Sequence, residues 1–120
     1  MGADVVGSLA NADVLLVYGG PILSREVFQA PRLGAYNFHP SLLPRHRGRE
    51  PERAVLASGD REGGVTLHRI TEKVDRGPIL LQRRFPLRPD ETIESYKRRA
   101  LDTIVAMLSE AIQEIAGASR

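Results

Sequence analysis

One apolar stripe constrains this chain more than any other feature. Ile93, Tyr96, Ala100, Leu101, Ile104, Val105, Leu108, Ile112 and Ile115 recur at three- and four-residue intervals. That is the period of an α-helix with one broad apolar face, and it predicts a helix from the Thr92 region to Gly117. Such a helix needs a flat apolar surface to lie on, so the rest of the chain is expected to supply a sheet. Lys97, Arg98, Arg99, Glu110 and Glu114 fall mostly off the stripe and read as a solvated face.

The strands of that sheet are legible upstream. Asp13 to Tyr18 is an apolar, β-branched run of buried-strand character, closed by Gly19-Gly20-Pro21. Ser24 suits the N-cap of a helix through about Gln29, which Pro31 stops. Ala35 to His39 is the next strand. Pro51 suits the first turn of a helix through Leu56 or Ala57, with Gly59 as its left-handed C-cap. Gly64 to Ile70 and Pro78 to Phe85 read as two strands whose connection is short enough for antiparallel pairing. With a short helix over Ala3 to Leu9, the order predicts an α/β fold: a mixed, mostly parallel sheet with flanking helices, parallel at first and antiparallel later. A helix that leads into a parallel strand looks like a crossover unit without its first strand, as in a partial Rossmann-like domain. The 120 residues are expected to form a single domain with one core.

Chemistry concentrates where the Ala35 to His39 strand stops. Strand side chains alternate faces, so Asn37 and His39 point the same way, and Pro40 then denies the ladder its next donor. An amide and an imidazole held side by side can polarise a carbonyl from two directions. Taken singly, Asn37 is an ordinary strand-end amide, His39 a satisfied histidine and Asp75 a turn residue.

Asn37-x-His39-Pro40-Ser41-Leu42-Leu43-Pro44, followed by Arg47-Gly48, resembles the active-site motif of the folate-dependent formyltransferases. These include the glycinamide ribonucleotide, methionyl-tRNA and amino-sugar enzymes. The same family carries a downstream Asp-x-Gly loop, matched by Val74-Asp75-Arg76-Gly77-Pro78 after Gly64-Val65-Thr66-Leu67-His68-Arg69-Ile70. The resemblance runs from Asp13 to about Ala111 and covers the second half of the family's catalytic domain, so the domain is expected to be N-terminally short relative to the family.

What the resemblance implies is transfer of a formyl group from N10-formyltetrahydrofolate to a primary amine, with Asn37, His39 and Asp75 as the catalytic residues. It places the folate against two loops, Gly19, Gly20, Pro21, Ile22 and Leu23 on one side and Thr71, Val74 and Asp75 on the other. Ser41 and Arg47 are the candidates for touching the acceptor, against loop architecture for the first and solvated surface for the second. Leu43-Pro44 is expected to be cis, and His68 reads as a packed or edge histidine. No cluster of His, Cys and carboxylates has metal-ligand spacing, so no metal is invoked.

Two other readings use the same residues. Water in place of the amine gives a formyltetrahydrofolate hydrolase, and a site without chemistry gives a folate-binding or oligomerisation module. An unpaired sheet edge leads us to expect self-association, as a homodimer. The acceptor is expected to be a small-molecule amine, with Arg47-Gly48-Arg49 leaning toward a sugar nucleotide. A net charge of +2 does not announce a nucleic-acid partner, tRNA excepted if the chain follows the methionyl-tRNA branch. The lack of cysteine and of any apolar run of membrane-spanning length points to a cytoplasmic protein without membrane contact.

Overall fold

Seven elements follow one another in the computed structural model, which describes residues 11–20 and 22–118. They are β1 (Leu15–Val17), α1 (Arg25–Gln29), β2 (Ala35–His39), α2 (Pro51–Ser58), β3 (Glu62–Arg69), β4 (Ile79–Pro86) and α3 (Ile93–Ala118). The helix expected over Ala3 to Leu9 lies outside the described residues, as does Pro21. Local signals act where they stand. Ser24 caps α1 by accepting from the Val27 amide, Pro51 opens α2, and Gly59 ends it in the left-handed region at φ 79°. β1 is shorter than the apolar run around it. Asp13 instead pairs with Arg32 at 3.0 Å, and Gly19 and Gly20, at φ 74° and 91°, turn the chain away.

The strands lie in the order β1-β2-β3-β4. β1 and β2 are parallel, whereas β2/β3 and β3/β4 are antiparallel. The mixed sheet with flanking helices, parallel first and antiparallel later, is the expected one. Among the described residues, however, antiparallel ladders outnumber the parallel one. The reason is that β3 returns from the end at which β2 leaves, with His39 opposite Thr66, so the connection carrying α2 does not cross the sheet.

Alternation along β2 and β3 then gives the sheet two characters. Tyr36 and Phe38 of β2 and Val65 and Leu67 of β3 join the core with Phe85 and α3. The row of α3 that enters this core is Tyr96, Ala100, Ile104, Met107, Ala111 and Ile115. The broad stripe read from the sequence is therefore divided. Leu101, Val105, Leu108 and Ile112 face outward, 39–61% exposed, because at about 100° per residue they sit to one side of the buried row. Asn37, His39, Thr66 and His68 occupy the other face of the sheet, at the positions between the core residues.

Candidate active site

The ladder between β2 and β3 sets the first part of the site, because it places Asn37 opposite His68 and His39 opposite Thr66. Asn37 Nδ2 donates to His68 Nε2 at 3.2 Å, and His68 Nδ1 donates to the Arg69 carbonyl at 3.1 Å. These two bonds define a neutral His68 with its hydrogen on Nδ1. Burial, the largest influence, pushes the His68 imidazole below its ordinary range, consistent with that form. The second amide hydrogen of Asn37 has no protein partner among the described residues and is available as a donor.

His39 is 4% exposed and is held from behind. Its Nε2 donates to the His46 carbonyl at 2.9 Å, which leaves Nδ1 facing Asp75 Oδ1 at 3.5 Å. A proton on Nδ1 makes that contact an ion pair, and its absence sets a lone pair against a carboxylate. Asp75 stands between both histidines, since the same oxygen is 3.8 Å from His68 Nε2. The residue adopts the left-handed region at φ 56°. Its other oxygen accepts from the Gly48 amide at 2.9 Å, and Arg47 Nε donates to its carbonyl at 3.4 Å.

The loop that follows β2 is anchored by side chains from across the sheet. Thr66 Oγ1 donates to the Ser41 carbonyl at 2.7 Å and accepts from the Leu43 amide at 3.1 Å. Gln82 Nε2 donates to the Leu43 carbonyl at 2.7 Å. The Leu43-Pro44 peptide is cis, as expected. Ser41, by contrast, is fully buried, and its hydroxyl donates to the Arg45 carbonyl at 2.8 Å. It belongs to the loop's own fastening and does not reach the cavity.

That cavity, about 560 Å³, lies over this face of the sheet. Of the residues expected at the site, Asn37, His39, Asp75, Gly19, Gly20, Ile22, Leu23, Thr71 and Val74 line it, whereas Ser41 and Arg47 do not. Ile22 and Val74 are 70% and 47% exposed, an apolar rim suited to the flat face of a ring system. The residues present thus fit a folate: apolar walls, backbone groups in loops, and polar side chains converging at the inner end.

Sequence reasoning missed His68, the Gly48 amide and further lining residues, among them Tyr18 and Glu52. Burial first, and then Glu52, raises the Tyr18 phenol above its ordinary range. The signal for His68 was its two-residue spacing from Thr66 within an apolar strand, which repeats the spacing of Asn37 and His39.

The chain is similar to known proteins over most of its length. The family model described as formyl transferase matches residues 3–112. The methionyl-tRNA formyltransferase of Thermotoga maritima is 39% identical over 104 residues, which are 86% of this chain and 33% of that protein. Among solved structures, glycinamide ribonucleotide transformylase 1 from Symbiobacterium toebii superposes with a TM-score of 0.83 at 33% identity, over 92% of this chain and 53% of that one. The formyltransferase PseJ from Anoxybacillus kamchatkensis, solved with a formamido UDP-sugar and tetrahydrofolate, gives 0.75 at 28% identity, over 88% of this chain and 56% of that one. The chain thus spans about a third of the curated relative and about half of the two solved structures.

Proposed function

The chain belongs to the formyl transferase family, and from that premise we propose that it transfers a formyl group from N10-formyltetrahydrofolate to a primary amine with Asn37, His39 and Asp75. The observation that carries the reading is Asp75, fastened by the Gly48 amide with its free oxygen 3.5 Å from His39 Nδ1, at the inner end of a cavity that Asn37 also lines.

When bound, the folate supplies the electrophilic carbonyl. Asn37 donates its free amide hydrogen to the oxygen on which charge develops. His39 holds a proton on Nδ1, the ring atom not engaged by His46, and presents it to that oxygen or to the departing nitrogen. Asp75 accepts the proton lost by the attacking amine, directly or through water, and keeps His39 oriented. His68 holds the Asn37 amide in position.

The acceptor is a primary amine. The relatives' names span methionyl-tRNA, glycinamide ribonucleotide and a UDP-sugar, and this reading favours a small molecule, a sugar nucleotide first. We also propose that the protein is cytoplasmic, with a single domain over 1–120, and a homodimer.

The test is calorimetric titration with a stable 10-formyltetrahydrofolate analogue of the wild type, Asn37→Ala, His39→Ala and Asp75→Ala. Binding that weakens in the variants is expected. No binding at millimolar analogue would defeat the proposal for this chain.

A further inference from the structure

His39 takes its orientation from a contact on the side away from the cavity. The acceptor of its Nε2 hydrogen is a main-chain carbonyl, that of His46, and His46 lies at φ 58°. A left-handed conformation is unfavourable for a residue with a Cβ, so something must hold it there. Most of the described residues at such angles are glycines; besides Asp75, only His46 among them carries a side chain there.

The holding group is Asp60. His46 Nε2 donates to Asp60 Oδ2 at 2.8 Å, and Arg45 Nη2 donates to Oδ1 at 2.6 Å. Asp60 is itself placed by Ser58, whose hydroxyl accepts from the Asp60 amide at 3.2 Å. The two paired side chains are 15% and 16% exposed. The bond from His46 is the main influence that keeps the Asp60 carboxyl below the usual carboxylate range. Asp60 and His46 line a separate cavity of about 170 Å³, and neither lines the one that holds Asn37 and Asp75. Asp60 therefore does not touch the reacting atoms.

We propose that Asp60 is a positioning residue for His39: it pins the His46 imidazole, and with it the left-handed backbone whose carbonyl takes the Nε2 hydrogen and turns Nδ1 toward Asp75. Its consequence for catalysis rests on the formyl-transfer reading, whereas the orientation itself does not. The carbonyl fixes which nitrogen of His39 carries the permanent hydrogen. With the carbonyl displaced, both ring tautomers become accessible and only one of them keeps Nδ1 for the site.

The test is ¹⁵N-edited NMR of the histidine rings in the wild type, Asp60→Ala, Asp60→Asn and His46→Gly, with thermal unfolding as the check on folding. The wild type is expected to show a slowly exchanging His39 Nε2 hydrogen. Asp60→Ala loses that signal, and Asp60→Asn, whose amide oxygen still accepts, retains most of it. His46→Gly adopts the left-handed backbone freely but has nothing to pin it, so it loses the signal too, and it serves if Asp60→Ala does not fold. Wild-type His39 resonances in a folded Asp60→Ala or His46→Gly would overturn the proposal. In a transfer assay Asp60→Ala lowers kcat by about tenfold or more with KM little changed, and Asp60→Glu recovers part of it. A shifted His39 signature in a chain that transfers no formyl group supports the positioning role and leaves only the functional reading to fall.

Discussion

The Tyr96 hydroxyl donates to the Pro40 carbonyl at 2.8 Å, so the helix that covers one face of the sheet also fastens the loop that bears on the other. The same oxygen accepts from the Gly64 amide at 3.3 Å. Burial pushes this phenol up to about 12, so its hydroxyl keeps its hydrogen and remains a donor at neutral pH.

Tyr96→Phe leaves a buried carbonyl and a buried amide without this partner, and is expected to cost about 1–3 kcal/mol. Urea unfolding measures the loss, and titration with the folate analogue should show weaker binding as the Pro40 loop loosens. An unchanged midpoint would mean that water replaces the hydroxyl at no cost.

Gly77 has no space for a side chain, since a Cβ would stand 1.8 Å from the Arg69 carbonyl oxygen. Gly77→Ala must displace backbone two residues from Asp75, and a loss of about 1–3 kcal/mol is expected from the overpacking. The informative readout is Asp75: binding of the folate analogue should fall by more than the stability loss explains. Wild-type binding would show that Asp75 is placed independently of this turn.

The depressed imidazole of His68 makes stability depend on pH. In the unfolded chain His68 takes up a proton near its ordinary value of about 6.5, while in the folded chain it does so only at lower pH. The unfolded state thus binds more protons between these values, and stability falls as pH is lowered through about 6.5. Asp60, held below the usual carboxylate range, stays ionised across this window. Unfolding midpoints at several pH values should show a shallower acid loss in His68→Asn than in the wild type. Parallel curves would contradict the assignment.

On the proposed mechanism Asn37→Ala removes a donor to the developing oxyanion, and it is expected to lower kcat roughly a hundredfold. Most of the effect should appear in kcat, because the bond tightens in the transition state. A rise confined to KM would assign Asn37 to ground-state binding instead.

Self-association is expected to use the outward row of α3. Leu101, Val105, Leu108 and Ile112 recur at steps of four, three and four, a spacing that a second copy of the same helix can match in an antiparallel, isologous pair. Val105→Glu, at a site 61% exposed, should shift sedimentation from dimer to monomer without changing the unfolding of the monomer. A monomeric wild type at micromolar concentration would exclude the pairing.

Local chemistry was readable in advance wherever it acts locally. The Ser24 cap, Pro51 at the start of α2 and the left-handed Gly59 each depend on a few neighbouring residues. The shared direction of Asn37 and His39 follows from strand alternation alone. What escaped the sequence depends on partners far along the chain. His68 becomes part of the site only through its register opposite Asn37, 31 residues away. The direction of β3 depends on where the chain re-enters the sheet, and the division of the α3 stripe on which row meets Phe38 and Leu67. The amide that fastens Asp75 has no side chain by which to be noticed.

That amide also separates two kinds of change. Because the Asp75 carboxylate is fastened by main chain at Gly48, a substitution at Arg49 leaves that bond in place, whereas Arg47 also donates to the Asp75 carbonyl and position 48, at φ 110°, is tied to glycine. The lining at Arg49 can be rewritten while the carboxylate keeps its address, so this architecture can change which molecule it admits and leave the groups that face His39 where they are.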